Sequence, residues 1–431
     1  MFRKLVTLDE ARRILAEHFK PRPTREEEVP LIEACGRVLA EDVIASLDIP
    51  PFSRSTVDGF AVRSEDTFGA DEDKPIELRV CGTASIGERP KVTVSRGCAA
   101  EIVTGAPMPD GADAVVMVEH TERKGENVLI FNAVAKRENV MAAASDIEKG
   151  ETVLKADQVL GSPEIGVLAA LGKARVKVHA VPRVAVLSTG PEVTEPGSRL
   201  SFGKIYDTNA YSISAAVTEC GGLPVYMGVF PDSLDELRKA LKTALDRADV
   251  VVTSGGVSVG PKDVMPEALK TLGDPGVIVS GIAVKPGKPT TIASIEGKPI
   301  FSLPGHPSSA LLMFSLLVRP MILGMAGRKP ESALNVGAVA SARMFSAKGR
   351  RTFVMVRLKR EEHDQLVAEP VESGLSGAIT TLAKADGYVE IPENQQFVDE
   401  GEKVTVHLLR NVEATRPSDS ERFPLHGHVD G

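Results

Sequence analysis

The chain has 431 residues, more than the roughly 250–300 that one hydrophobic core supports, so two or more domains are expected. Hydrophobic residues make up 42% and the net charge is −8, which argues for a soluble protein and against nucleic acid or an anionic membrane as its main partner. The four cysteines form no CxxC pair, so we expect neither a zinc site nor a disulfide framework, and the reducing cytoplasm is the expected compartment.

The first elements in chain order are a helix and a β-rich region. Residues 7–19 predict an amphipathic helix, because their apolar side chains recur at helical spacing behind a Thr7–Glu10 capping signal. Residues 45–155 alternate short β-prone runs with Gly, Pro and Asp turns and therefore predict a β-rich unit. A further helix is expected at 162–171.

From residue 181 onwards, apolar strands alternate with helices. This pattern is typical of a doubly wound parallel α/β domain, which we place at 176–328. Its apolar stretch at 310–327 is interrupted by Arg319 and Pro320, so a buried helix is expected rather than a membrane span. The remaining β-prone runs predict a small β domain that ends near residue 410, followed by a polar, disordered tail.

Turns that follow the strands of the α/β domain are the first place to look for a ligand site, because open parallel sheets bind ligands at the carboxyl ends of their strands. Glycine lets the backbone approach a ligand closely and direct N–H groups at an anion. The TSGGVSVG run at 253–260 matches neither the P-loop nor the dinucleotide fingerprint. A structural role is the alternative for any single turn. Four turns are rich in Gly, Pro, Ser or Thr: STGPE (188–192), TSGGVSVGPKD (253–263), VKPGKP (284–289) and LPGHPSS (303–309).

Charged residues accompany these turns. Lys285 and Lys288 flank a Pro-Gly pair, and two lysines held together favour a bound anion over the alternative of two solvated surface side chains. Glu192 and Asp263 are expected at the same edge of the sheet. Lysines combined with carboxylates suit a phosphate group held through Mg²⁺, whose ligands are oxygens.

Taken in order, these turns and two polar loops of the β-rich region resemble the molybdopterin molybdenumtransferase family, which includes the C-terminal domain of gephyrin. The resemblance covers nearly the whole chain to about residue 410. It is carried by PPFSRSTVDGFAVR (50–63), VTGAPMPDGADAVVMVE (103–119), VLSTGPE (186–192), IYDTN (205–209), TSGGVSVGPKD (253–263), VKPGKP (284–289), LPGHPSSA (303–310) and ADGYVEIP (385–392).

The resemblance implies a multidomain α/β plus β protein that forms a homodimer. The active site would lie between the α/β domain of one subunit and the inserted region of the other. The implied domains are an elongated N-terminal domain (1–44 and 139–175), an inserted β-rich domain (45–138), the doubly wound α/β domain (176–328), a C-terminal β domain (329–410) and the tail (411–431).

The implied reaction inserts molybdate or tungstate into adenylylated molybdopterin, with Mg²⁺-dependent cleavage of the pyrophosphate link and release of AMP. Glu192 and Asp263 would bind the metal. The adenylyltransferase and apo-molybdoenzymes are the protein partners that the resemblance implies. The implied catalytic residues are Asp58, Thr104, Asp146, Glu192, Asp232 and Asp263, and the implied substrate-binding residues are Ser254, Gly255, Gly256, Ser258, Gly260, Lys285, Lys288, Pro304, Gly305, Pro307 and Ser308.

Departures from the family pattern leave the choice between molybdate and tungstate open. Ala144-Ser145 stands where Gly-Glu is usual, Pro191 replaces Asp, Pro261-Lys262 replaces Asp and an aromatic residue, and His306 replaces Asn. His306 fits a site residue and a turn residue equally well. Two other functions remain open: an adenylyltransferase-type enzyme, against which the extra β-rich regions count, and a non-enzymatic scaffold, against which the retained carboxylates count.

Overall fold

The computed structural model describes residues 5–23, 25–256, 264–328, 335–361, 365–371 and 380–409. Three residues predicted for the site, Ser258, Gly260 and Asp263, lie outside these ranges, as does the tail at 411–431. The chain forms two compact units: one consists of residues 27–178, and the other combines residues 1–26 with 179–431. The N-terminal helix α1 (Leu8–His18) begins at the cap Thr7, whose hydroxyl accepts a hydrogen bond from the Glu10 backbone N–H, as the sequence predicts.

The unit 27–178 is rich in strands, which confirms the prediction for this region. The strands are β1 (Glu26–Pro30), β2 (Val43–Ile44), β3 (Arg54–Ser55), β4 (Gly59–Val62), β5 (Ile76–Ala84), β6 (Cys98–Ile102), β7 (Ala114–Met117), β8 (Thr121–Lys124), β9 (Asn127–Ile130), β10 (Val140–Met141), β11 (Thr152–Leu154) and β12 (Arg175–His179). Helix α2 spans Ser162–Ala170, and short 3₁₀ turns occur at Leu31–Glu33, Ser64–Thr67 and Val118–His120. The main sheet has the strand order β7-β4-β6-β5-β9-β8, and the short strands pair as β1-β12, β10-β3 and β11-β2.

The second unit contains an α/β sheet and a separate β sheet. The elements of the α/β part are β13 (Arg183–Thr189), β14 (Val193–Thr194), β15 (Ile205–Tyr206), α3 (Asn209–Glu219), β16 (Leu223–Phe230), α4 (Leu234–Arg247), β17 (Val250–Ser254), α5 (Met265–Lys270), β18 (Pro275–Ser280), β19 (Val284–Lys285), β20 (Thr291–Ile295), β21 (Lys298–Leu303), α6 (Pro307–Met313), a π-helical turn (Phe314–Val318) and α7 (Arg319–Met325). Those that follow are β22 (Asn335–Ala340), β23 (Met344–Phe345), β24 (Arg351–Arg360), β25 (Leu366–Pro370), α8 (Thr380–Lys384), β26 (Gly387–Ile391), β27 (Phe397–Val398) and β28 (Lys403–Leu408).

The α/β sheet has the strand order β16-β13-β17-β21-β20-β18. Strands β16, β13, β17, β21 and β18 all run in one direction, as predicted, but β20 runs antiparallel to both of its neighbours, β21 and β18, so the prediction of a parallel sheet is wrong for β20. The reason is the connection between β20 and β21. Glu296 and Gly297 both have positive φ (52° and 74°), the geometry of a tight hairpin turn, and a hairpin places its strands antiparallel.

Helices pack on both faces of this sheet. Val184 and Val252 lie in a core with α3 and α6, whereas Ala185 and Val251 lie in a second core with α4 and α5. The helical stretch Pro307–Met325 is long and apolar enough to cross a membrane, but 67% of its most apolar part is buried inside the fold. This burial agrees with the predicted core helix.

The C-terminal sheet has the order β19-β24-β25-β22-β28-β26. Strand β19 has two residues and belongs to the connection between β18 and β20. It pairs in parallel with β24 through Val284 and Arg351. Helix α1 also belongs to this unit: its buried Leu8, Ala11 and Leu15 join the core that contains α3 and α6. The 281–290 connection is therefore tied to the C-terminal sheet as well as to the α/β sheet.

Candidate active site

The turns after β13, β17 and β21 meet at one edge of the sheet, as the sequence predicts. Ser188 of β13 is paired with Ser254 of β17, which is paired with Leu303 of β21. The Gly255 N–H donates to the Leu303 carbonyl at 3.3 Å. A methyl group placed on Gly305 would lie 3.8 Å from the Gly255 Cα. The three turns therefore form one continuous surface.

Glycine is required at positions 255 and 256 because the β17 turn packs directly on the end of β13. A Cβ atom at Gly255 would lie 2.2 Å from the Thr189 carbonyl oxygen, and one at Gly256 would lie 2.7 Å from the Thr189 Oγ1. Both residues also have positive φ, 91° and 67°. Side chains are excluded on two independent grounds, and the backbone is left accessible for a ligand.

Asn209, at the start of α3, ties two of these turns together. Its Nδ2 donates to the Ser254 Oγ and to the Gly305 carbonyl, both at 2.7 Å, and the residue is only 7% exposed. Neighbouring Asp207 is buried too, and its Oδ1 accepts from the Ser188 Oγ and the Ala210 N–H at 3.0 Å. The IYDTN motif contained both residues, but sequence reasoning assigned neither to the site.

Two carboxylates lie beside these turns. Glu192 follows β13 and Asp232 follows β16, and the ends of these strands are in register through Thr189 and Phe230. Partial desolvation raises the pKa of Asp232, and the nearby negative charge of Glu192 raises it further. The two carboxylates thus repel each other, an arrangement that a cation or a protonated partner would relieve.

The lysine turn (residues 284–289) lies at the same edge, within the connection between β18 and β20. Thr291, the first residue of β20, pairs with Ser302 near the end of β21, which fixes this connection beyond the carboxyl ends of the parallel strands. Gly287 has a φ of 109°, and a Cβ there would lie 2.4 Å from the Met313 Sδ. Lys285 is exposed and Lys288 is half-buried. The predicted convergence of the four turns therefore includes the lysine turn.

The turn after β21 leads into helix α6. Pro304 is buried and its carbonyl oxygen accepts from the Ser254 Oγ at 3.4 Å, while Pro307 is the first residue of the helix and Ser308 is buried. His306 occupies the N-cap position, is exposed, and uses its backbone carbonyl to accept from the Ala310 N–H. Its side chain makes no capping hydrogen bond. Both interpretations of His306 remain predictions.

A second polar cluster lies in the unit 27–178. Asp58 is exposed, and its Oδ1 accepts from the Thr104 N–H at 2.6 Å and the Thr104 hydroxyl at 2.8 Å. These two donors, the backbone N–H first, lower the pKa of Asp58. Gly59 is essential for the geometry, since a Cβ there would lie 1.9 Å from the Val116 carbonyl oxygen. Asp58 is therefore held as an oriented, ionised carboxylate.

Asp146 belongs to a loop that packs on the same polar segment. Its N–H donates to the Ile49 carbonyl at 3.0 Å, and the Ala144 N–H donates to the Pro50 carbonyl at 3.0 Å. Ala144 has a φ of 60°, in the left-handed region where the family's usual glycine would be unstrained. The loop therefore keeps its left-handed conformation at position 144 although alanine is less suited to it than glycine.

Among the described residues, no group of three or more His, Cys, Asp or Glu side chains is placed to hold a metal ion. Mg²⁺ does not need one, because it is usually held by one or two carboxylates together with substrate phosphates and water. The repelling carboxylates of Glu192 and Asp232 supply hard oxygen donors beside the turns and are compatible with such a cation.

Comparison with known proteins gives a consistent result along the chain. Three family profiles match in order: the MoeA N-terminal region (domain I and II) at residues 6–172, a probable molybdopterin binding domain at 185–324, and the MoeA C-terminal region (domain IV) at 337–409. Molybdopterin molybdenumtransferase 2 of Mycobacterium tuberculosis is 34% identical, with 93% of this chain and 98% of the relative covered. The molybdopterin molybdenumtransferase of Haemophilus influenzae is also 34% identical, with 94% and 100% covered. The crystal structure of the molybdopterin biosynthesis moeA protein from Pyrococcus horikosii aligns with a TM-score of 0.81 and 42% identity, covering 95% of this chain and 100% of that one.

Proposed function

Because the chain belongs to the molybdopterin molybdenumtransferase family, we propose that it inserts molybdate into adenylylated molybdopterin with Mg²⁺-dependent release of AMP. The enzyme is a transferase of molybdenum cofactor biosynthesis. The observation that supports the finer proposal is the convergence of glycine turns, lysines and paired carboxylates at one sheet edge. A nucleotide with a pyrophosphate link and an inorganic oxyanion both need such a mixture of groups.

The residues take roles that follow from their chemistry. The N–H groups of the turn that begins at Gly255 bind phosphate oxygens, and Lys285 and Lys288 bind the oxyanion. Glu192 and Asp263 would hold Mg²⁺, which would neutralise charge on the pyrophosphate, and the Asp232 carboxylate lies close to Glu192. The remaining predicted substrate-binding residues, assigned on the resemblance and on their place in these turns, are Ser254, Gly256, Ser258, Gly260, Pro304, Gly305, Pro307 and Ser308.

Asp58, Thr104 and Asp146 are proposed as a second set of functional residues. The oriented Asp58 carboxylate, which accepts two hydrogen bonds from Thr104, suits a group that positions a substrate donor. We further propose a cytoplasmic homodimer with the four-domain organisation implied by the family resemblance.

The test is AMP release by the purified protein. Given adenylylated molybdopterin and Mg²⁺, the enzyme should release AMP only when molybdate is added, and a parallel reaction with tungstate measures oxyanion preference. Glu192→Ala and Asp58→Ala should abolish the release. Asp235→Ala is the matched control, because this carboxylate lies on α4 near Asp232 with its side chain 82% exposed.

Three results would contradict the proposal. AMP release that does not depend on the oxyanion would indicate a hydrolase. Formation of pyrophosphate from ATP and molybdopterin would indicate the adenylyltransferase activity. Unchanged release in both carboxylate variants would mean that these residues take no part in the reaction.

A further inference from the structure

The lysine turn is held on two sides by segments that are distant in sequence. On one side, the Val6 N–H donates to the Gly281 carbonyl at 3.3 Å and the Ala283 N–H donates to the Val6 carbonyl at 2.8 Å. On the other side, the Arg351 N–H donates to the Ala283 carbonyl at 3.0 Å. The backbone just before Lys285 thus lies between the N-terminal segment and β24.

Arg351 also connects these two segments through its side chain. Its guanidinium makes a bidentate pair with Asp9 of α1, at 2.7 and 3.1 Å, and further pairs with Glu390 at 3.3 Å and Glu393 at 3.1 Å. The Arg351 side chain is only 14% exposed. Val6 lies two residues before the first residue of α1, so the position of α1 determines where the N-terminal segment meets the lysine turn.

We propose that the Asp9–Arg351 ion pair is a positioning device for the lysine turn and thereby sets the affinity of the enzyme for its oxyanion. The inference rests on the proposed function, since it takes Lys285 and Lys288 as the oxyanion-binding groups. The pair closes a continuous path: α1 to Val6, Val6 to the 281–283 backbone, and that backbone to Arg351.

Arg351 itself is not the oxyanion ligand. Three carboxylates surround its guanidinium, which leaves its donors engaged and its charge more than neutralised. Lys285, in contrast, is exposed, and no carboxylate partner is found for it within the described ranges. Arg351 therefore acts through the backbone that it shares with the lysine turn, and the lysines bind the anion.

The experiment compares three variants of α1 in the full-length protein. Asp9→Asn removes the charge pair without changing side-chain size, Asp9→Glu retains the charge, and Glu10→Gln is the matched control. Glu10 carries the same charge in the same first helical turn, but it is not among the carboxylates that pair with Arg351. For each variant, KM is measured for molybdate and for adenylylated molybdopterin, molybdate binding is measured by calorimetry, and folding is checked by thermal unfolding.

Asp9→Asn should raise the molybdate KM and weaken molybdate binding by about fivefold, the size of effect typical of residues that act through a packed network. The KM for the pterin nucleotide should stay within about twofold, because Lys285 and Lys288 are assigned to the oxyanion and not to the pterin nucleotide. Asp9→Glu should restore most of the molybdate affinity, and Glu10→Gln should match the wild type.

The inference is overturned if Asp9→Asn has the same molybdate constants as Glu10→Gln, or if it shifts both substrates equally as a loss of folding would. If the wild-type protein releases AMP and the Asp9→Asn variant keeps the wild-type molybdate constants, the inference is refuted and the proposed function stands. If the wild-type protein binds molybdate but releases no AMP, the proposed function is refuted. The inference is then decided by comparing molybdate binding of the variants and the wild type in the calorimeter.

Discussion

Replacing Gly255 with alanine tests whether close packing of the β17 turn on β13 shapes the site. Gly197 provides a matched control, because both glycines have a φ of 91°, yet a Cβ at Gly197 would have no neighbour within 4 Å. Both variants therefore carry the same strain from a positive φ. Only Gly255→Ala also places a methyl carbon 2.2 Å from the Thr189 carbonyl oxygen.

The expected losses of stability follow from the positive φ and from the close contact with Thr189. The positive φ costs roughly 1–2 kcal/mol in each variant. In Gly255→Ala the turn must also move by about 1 Å to reach an ordinary contact distance, which adds roughly 1–3 kcal/mol of overpacking. A displacement of that size in a substrate-binding loop lowers kcat/KM by about a hundredfold.

Unfolding in urea gives the stability of each variant, and AMP release gives kcat/KM. Gly197→Ala should keep wild-type activity despite its small loss of stability. The reasoning is refuted if both variants lose equal stability, or if Gly255→Ala retains full activity, because either result would mean that the turn does not need its contact with Thr189.

Three further predictions concern single side chains. Because the pKa of Asp232 is raised by partial desolvation and by Glu192, Asp232→Asn should stabilise the fold at neutral pH, and urea unfolding from about pH 3 to pH 8 should show the gain vanish below the ordinary aspartate pKa. Thr104→Val removes one of the two donors that lower the pKa of Asp58, so this pKa should rise toward the ordinary aspartate value. The stability that the ionised Asp58 contributes should then be lost at a higher pH than in the wild type as the pH falls, and an NMR titration of the carboxyl group can follow this shift. Asn209→Ala leaves the buried Ser254 Oγ and the Gly305 carbonyl without the donor that joins them and should cost about 1–3 kcal/mol in thermal unfolding.

Local patterns in the sequence were sufficient to predict much of the α/β sheet. Strands such as Arg183–Thr189 and Val250–Ser254 are continuous apolar runs, and such runs indicate burial on both faces. The direction of β20 was not predictable in the same way. It depends on a hairpin at Glu296–Gly297, and the charged residue at positive φ gives no strong turn signal.

The candidate site, like the sheet, was predictable from the sequence only in part. Convergence of the turns was predictable, because parallel strands end at the same edge of their sheet. The role of Asn209 could not, because its partners Ser254 and Gly305 lie 45 and 96 residues away. The pairing of Val284 with Arg351 was equally hidden, since a two-residue strand has no periodicity to detect.

The separation of 342 residues between Asp9 and Arg351 determines when the N-terminal helix can reach its final place during synthesis. Residues 27–178 form a compact unit without it, so we expect this inserted unit to fold first as the chain leaves the ribosome. The apolar face of helix α1 stays exposed until α3 and α6 have been translated, and its ion pair with Arg351 can form only after β24 has followed. At about 5–20 residues per second this interval lasts tens of seconds, long enough for chaperones to bind the N-terminus of the nascent chain.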